Sequence, residues 1–323
     1  MEIKAHCKIN LGLHVVRRRD DGYHDIETVM MPVKGLFDTV SVTAFADSTV
    51  ALEGMGGSFI DPLTTTPLPY PAAPPVFPTD SVLELSGLAI DCPPEENICM
   101  RALRLVQREC GIGEAMIRLH KAIPAGAGLG GGSADAAAVL GALNREFVLE
   151  LTNAELESLA ARLGSDVPFF VRGFRGGYGA HGGTGVRAGG AQLCTGRGEV
   201  MTPAAVDLAG MWLAVVKPPV AVSTAQAYAG VTPCEAGVSL DEIVRRPVRE
   251  WREGMRNDFE ESVFARHPEI GALKRAMYDA GAMFASMSGS GSAVFGIFDE
   301  RPELAQMGKN WKTGDIFIHI ERL

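Results

Sequence analysis

The chain has 323 residues, 46% of them apolar and 21% charged, with a formal charge of −9. That length fits two domains better than one, and the composition is that of an ordinary globular protein. The negative balance argues against a general nucleic-acid or membrane-surface binder. An anionic ligand must therefore be held by a local positive site. No run approaches the roughly twenty apolar residues of a membrane span. The start lacks a signal-peptide pattern, since Lys8 and Asn10 break its apolar segment and arginines follow it. Six scattered cysteines without a C-x-x-C predict reduced thiols in a cytoplasmic protein and no zinc site.

In chain order, residues 3–16 predict a strand pair or one long bent strand. Asp21-Gly22 closes a charged hairpin turn, and 26–33 and 39–45 predict further strands. From about 54 to 79, Pro62, Pro67, Pro69, Pro71, Pro74, Pro75 and Pro78 crowd an insertion that can neither coil into a helix nor pair in a sheet. Residues 97–109 follow as a helix with Ile98, Ala102, Leu105 and Val106 on its apolar face. Alternation then predicts a strand over 115–123.

Residues 124–143 read PAGAGLGGGSADAAAVLGAL, with five glycines from Gly126 to Gly132 before an alanine-rich helix. A strand, a glycine loop and a helix N-terminus make an anion site. Glycine lets the backbone approach closely, and the helix end supplies unpaired N–H donors and the positive end of its dipole. The loop is not a Walker A loop, because Gly132 stands before Ser133 where that motif needs lysine. Gly126, Gly128 and Gly131 also fit G-x-G-x-x-G, which leaves a dinucleotide loop open, with Glu150 as its ribose acid. Ser133 can bond a phosphate or cap the helix.

Thr152 and Glu155 form a capping box for a helix over 152–163 that ends at Gly164. A turn with Asp166 at its apex comes next, and after it a strand. Residues 173–198, with eleven glycines, predict a flexible insertion. The second half interleaves strands at 210–216 and 316–320 with helices at 223–228, 241–244, 257–264 and 270–280. A second glycine loop, 288–292 (SGSGS), lies between two strand-like runs within 283–298. The chain is α+β, divided into 1–175 and 176–323.

Taken singly, the candidate groups are ambiguous. Asp166 is a base or a turn cap, and Lys8 points into a cleft or edges a sheet. Tyr23 and His24 stack on a ring or serve the structure. No His/Cys cluster exists, so only a nucleotide-borne Mg2+ is implied.

Together the motifs are more specific. P-x-G-x-G-L-G-G-G-S-A at 124–134 resembles the phosphate loop of the GHMP kinases, the galacto-, homoserine, mevalonate and phosphomevalonate kinase superfamily. K-I-N-L at 8–11, R-x-D-G-Y-H at 19–24, G-S-D-V-P-F-F at 164–170, T-G-R-G-E at 195–199 and S-G-S-G at 288–291 occur in the family's order. The resemblance implies a two-domain α+β GHMP kinase fold. Its N-terminal domain would contain a left-handed βαβ unit, its C-terminal domain would be ferredoxin-like, and the cleft would lie between them.

The same resemblance implies transfer of the ATP γ-phosphate to the 2-hydroxyl of a cytidine-diphosphate-linked methylerythritol, on the non-mevalonate route to isoprenoids. Asp166 would be the base. Lys8, its partner, would favour the ionised acid and stabilise the developing alkoxide. Asn10, Tyr23, His24, Thr224 and Tyr228 would contact the substrate, with Tyr23 and His24 at cytosine. Asn97, Lys121, Pro124, Ala125, Gly126, Ala127, Gly128, Leu129, Gly130, Gly131, Gly132, Ser133 and Ala134 would hold ATP. The implied cofactors are ATP and Mg2+. The implied partner is a small substrate bearing cytidine diphosphate, with no nucleic acid and no membrane. Ala127 departs from the family, which often has glycine there, and both insertions are longer than usual. An unlinked sugar or mevalonate-type acceptor is the alternative, but such an alcohol has no base for the Gly-Tyr-His turn. A regulator that kept the fold is a further one, and the intact Lys8 and Asp166 argue against it.

Overall fold

The computed structural model describes residues 2–45, 80–173, 190–234, 237–304 and 316–323. A long hairpin opens it, formed by β1 (Glu2–Arg18) and β2 (His24–Ala44), with Gly22 at φ 86° in the turn. The two strands pair antiparallel along their length. Their register shifts between His6 and Lys8, Asn10 and Leu13, and Val15 and Arg17. Such bulges bend a ribbon. The expected strands at 26–33 and 39–45 are in fact this one bent strand. Residues 33–36 bulge between the pairs His6–Phe37 and Lys8–Pro32 without ending it.

β3 (Val82–Gly87) and β4 (Ala115–Lys121) run parallel, and α1 (Ile98–Cys110) crosses between them. That βαβ unit joins β2 through antiparallel pairing of β4 with residues 39–44. Farther along the same edge of β2, Thr28 pairs with Cys194 of β5 (Gln192–Thr195), and β5 pairs β6 (Val200–Pro203). α2 (Gly131–Glu146), α3 (Asn153–Ala161) and α4 (Val167–Gly173) cover the sheet. Leu103, Ile117, Leu119, Leu140, Leu143, Leu156 and Phe169 share their core. Ala134, Ala136, Ala137 and Ala138 are fully buried, so α2 is apolar nearly all round, as a central helix must be.

The segment after Asp166 is a helix and not the expected strand. Pro168 fits a helical first turn, where its missing N–H costs nothing. Val167 to Val171 are all buried, so no polar face reveals the 3.6-residue period.

The second sheet holds β7 (Trp212–Lys217), β8 (Phe284–Met287), β9 (Val294–Phe298) and β10 (Phe317–Arg322), all antiparallel in the order β10-β7-β9-β8. Counted from β7 that order is 4-1-3-2, the ferredoxin-like arrangement. The short helices α5 (Thr224–Ala229), α6 (Leu240–Ile243) and α7 (Trp251–Gly254) follow β7. α8 (Glu260–Arg266) and α9 (Pro268–Asp279) then pack Val263, Ile270 and Met277 onto the sheet. Ile9, Leu11 and Val29 of the hairpin meet Leu213, Val215, Trp251, Phe284 and Phe295 in a core shared by the two sheets.

β5 and β6 complete the first sheet, so a division at 175/176 cuts them from their partners. We propose that the junction lies in 204–211, between β6 and β7. The insertion at 54–79 lies outside the described residues, as do 174–189 of the second; residues 192–195 of the latter are strand rather than flexible loop. Among the described residues no helix is long and apolar enough to cross a membrane.

Candidate active site

Helix α2 starts at Gly131 with Gly130 as its cap at φ 69°. Ser133 is its third residue and so does not cap it. The first helical bond runs from Ala134 N–H to Gly130 O at 2.9 Å. The N–H groups of Gly131, Gly132 and Ser133 precede it, at the positive end of a sixteen-residue helix. Gly126 and Gly128 adopt φ 60° and 72°, values a side chain disfavours. Ala127 is not among the residues of positive φ, so its methyl is accommodated.

This loop is clamped by the second glycine loop. Ser288 Oγ donates to Gly128 O at 2.9 Å, and Ala293 N–H to Ala127 O at 3.0 Å. Asn257 Nδ2 donates to Met287 O and Gly289 O at 2.7 and 2.8 Å, and its Oδ1 accepts from Phe259 N–H. The C-terminal unit thereby fixes the loop that the N-terminal unit supplies.

Lys8 on β1 is buried, 3% exposed, and its ammonium lies 3.6 Å from Asp166 Oδ2. Lys8 Nζ also donates to Gly128 O at 2.9 Å and to Asn10 Oδ1, while its backbone N–H bonds Leu129 O. Asn10 Nδ2 donates to Thr28 Oγ1 at 2.8 Å, which turns its carbonyl toward the lysine. Thr28 in turn donates to Gly12 O. Asp166, 30% exposed just before α4, is the open member of the pair. A carboxylate reachable from the cleft, opposite a cation fixed beside a glycine loop, can take a proton from an alcohol and balance the charge left on its oxygen.

Lys121, at the end of β4, carries its ammonium between two buried carboxylates. It donates to Asp135 Oδ2 at 2.7 Å and to Asp38. Asp38 also accepts from Ala122 and Ile123 N–H at 2.6 and 2.8 Å. Burial alone would lower the Lys121 pKa, but Asp135 and Asp38 outweigh it and raise it. Burial pushes the Asp135 carboxyl well up; Lys121 opposes that shift and Asp38 adds to it. Asp135 Oδ1 has no partner. One cation thus faces two buried acids.

A cleft of about 630 Å³ brings together Lys8, Asn10, Asn97, Lys121, residues 124–133, Asp166, Thr224 and Tyr228. Asn97 Oδ1 caps α1 by accepting from Cys99 N–H at 2.9 Å, which leaves its NH2 for a ligand. Thr224 Oγ1 lies 3.2 Å from Ser290 Oγ. Tyr23, His24 and Ala134 do not line the cleft. Ala134 is buried in the core, and Tyr23 is 57% exposed. The His24 ring stacks on Tyr228, with centroids 4.8 Å apart, so the pair sits at the rim. Burial, then Asp166, pushes the Tyr228 phenol up to about 12.

Thr28, Asp38, Asp135 and Asn257 were not legible as site residues. Each acts through partners distant in sequence, and only Asp135, next after Ala134, stands beside a recognisable motif. The dinucleotide reading fails here. After α2 comes another helix, α3, and Glu150 lies in an exposed turn at φ 57° instead of at a strand end. Among the described residues no group of three or more His, Cys, Asp or Glu could hold a metal.

Comparisons with known proteins bear on the family and the fold. The family profile described as GHMP kinases N terminal domain matches residues 97–174, and GHMP kinases C terminal matches 239–314. A 4-diphosphocytidyl-2-C-methyl-D-erythritol kinase of Parabacteroides distasonis is 40% identical over 294 residues, covering 91% of this chain and 90% of its own. The enzyme of that name in Symbiobacterium thermophilum is 38% identical, with 93% and 92% covered. A crystal structure of 4-(cytidine 5'-diphospho)-2C-methyl-D-erythritol kinase superposes with a TM-score of 0.68 at 28% identity, over 99% of this chain and 98% of that one. Methanococcus jannaschii mevalonate kinase, 13% identical with a TM-score of 0.61 over 100% of this chain and 98% of its own, shares the fold. The chain belongs to the GHMP kinase family, alongside the 4-diphosphocytidyl-2-C-methyl-D-erythritol kinases, and is a small-molecule kinase.

Proposed function

We propose that this kinase transfers the γ-phosphate of ATP to the 2-hydroxyl of 4-diphosphocytidyl-2-C-methyl-D-erythritol, a step toward isoprenoid precursors in the cytoplasm. The observation that carries the reading is the Lys8–Asp166 pair, 3.6 Å apart in one cleft with the glycine loop. The names of the relatives support the choice of acceptor.

Asp166 accepts the proton of the hydroxyl, whose oxygen attacks the γ-phosphorus as the bond to the ADP oxygen breaks. Lys8, held by Gly128 O and Asn10, stabilises the negative charge that develops beside it. The loop and the start of α2 receive the phosphates, and Asn97 offers its NH2 to the adenine. Lys121, locked between two acids, braces the floor under the nucleotide. His24 and Tyr23 present aromatic faces to cytosine. Thr224, Tyr228 and Asn10 complete the acceptor side.

Mg2+ would arrive on the nucleotide and neutralise phosphate charge. The donor set fits a shared ion, for the Ser133 hydroxyl offers one hard oxygen, and among the described residues no group of three or more His, Cys, Asp or Glu could hold the ion alone. Asp166→Asn and Lys8→Met are expected to lower kcat by about 10²–10⁴-fold, while ATP still binds and the melting temperature holds. Turnover by Asp166→Asn within about threefold of the parent would remove Asp166 as the base.

A further inference from the structure

The proposed acceptor carries two charged phosphates between its base and its alcohol. They need a counter-charge apart from the glycine loop, which the nucleotide fills. The chain as a whole is negative, so that charge must be local. Among the described residues lining the cleft, the cationic side chains are Lys8, Lys121 and Arg197. Lys8 is committed to Asp166, Asn10 and Gly128 O, and Lys121 to Asp38 and Asp135.

Arg197 differs from both. Its side chain is 39% exposed, and its ion pair among the described residues, with Glu199, is long at 3.6 Å. The guanidinium lies over the Tyr23 ring, 5.0 Å from the centroid, so it stands next to the aromatic rim while reaching the cleft that holds Asp166. The turn that carries it is well fixed. Gly196 O accepts from Ile26 N–H at 2.7 Å, Gly198 N–H donates to Thr195 O, and Glu199 Oε2 accepts from Arg197 N–H at 2.5 Å. Gly196 and Gly198 adopt the positive φ that this tight turn requires. A planar guanidinium on a fixed turn suits paired phosphate oxygens, which it can grip with two parallel N–H bonds.

We propose that Arg197 binds the diphosphate of the acceptor, and that this contact, more than the base, sets the preference for a nucleoside-diphosphate-linked alcohol. The inference rests on the acceptor proposed above. Its test is binding of CDP and of cytidine, by calorimetry, to the parent chain, Arg197→Ala, Arg197→Lys and Arg197→Gln. A saturating non-hydrolysable ATP analogue keeps both probes out of the nucleotide site.

The parent should bind CDP more tightly than cytidine. Arg197→Ala should weaken CDP by about 10–100-fold, the scale of a charge-assisted contact, and leave cytidine within about threefold. Arg197→Lys should fall between, because a point charge replaces the fork, and Arg197→Gln should follow Arg197→Ala. With the full substrate, KM should rise with the CDP loss while kcat and the KM for ATP hold. A purely structural role, steadying Tyr23, would weaken CDP and cytidine alike, and that result would overturn the proposal. Unchanged CDP binding in Arg197→Ala would overturn it too, with the acceptor assignment standing. A parent chain that neither binds CDP nor phosphorylates the linked alcohol would overturn both.

Discussion

Lys8 shows how firmly its neighbours can fix one side chain. Its ammonium has a carbonyl, an amide oxygen and a carboxylate around it, and Thr28, which donates to Gly12 O, fixes the Asn10 amide behind it. Lys121 is fixed as firmly to a different end, beneath the loop. Asp135 gives that floor a pH signature. Because burial raises its carboxyl, the folded chain keeps a proton that the unfolded chain has released. The stability tied to that proton is present at low pH and is lost as pH rises toward the raised value. Asp135→Asn mimics the protonated acid and has nothing to lose. Its melting temperature should therefore gain on the parent by a few degrees between about pH 5 and about pH 8. A constant difference across that range would show that Asp135 is ionised throughout. Carboxyls held low, such as Asp25 and Glu155, act at lower pH and cancel in the comparison.

At the scale of elements, the site is two glycine loops pressed together. A Cβ on Gly128 would lie 1.9 Å from the Ser288 carbonyl oxygen, and the residue sits at φ 72°. Gly128→Ala is expected to cost at least about 2 kcal/mol of stability and to lower kcat/KM for ATP at least about tenfold, about 1.4 kcal/mol of transition-state stabilisation; Ala127→Gly should stay close to the parent. Equal behaviour of the two in denaturant unfolding and kinetics would refute the clamp. Both loops were legible from composition, as were the hairpin turn at Gly22 and the capping box of α3. Their mutual contact was not, since Gly128 and Ser288 are 160 residues apart. The helical nature of α4 was hidden because burial on every side erases periodicity. β5 and β6 were hidden beside a glycine-rich stretch that masks short strands. Residue roles were the least legible, for Asp38 and Asn257 carry no motif: Asn257 acts through the backbone groups it holds, and Asp38 through backbone N–H groups and the Lys121 ammonium.

At the scale of the whole molecule, the described residues place two sheets around one cleft, and both halves line it. The N-terminal unit brings Lys8, the glycine loop and Asp166, while the C-terminal unit brings the second loop, Thr224 and Tyr228. Asn257, between them, ties α8 to the loop after β8. The family was readable from ordered motifs because each marks a point where the chain must turn tightly or meet charge. The acceptor is what most needs measurement. Purified chain with Mg-ATP should be offered 4-diphosphocytidyl-2-C-methyl-D-erythritol, free methylerythritol and mevalonate, with ADP release and phosphorus NMR of the product as readouts. The account predicts one ADP and one new phosphomonoester at the 2-hydroxyl per linked substrate consumed, and negligible turnover of the two unlinked alcohols. No product from the linked substrate, or equal turnover of an unlinked one, would contradict it.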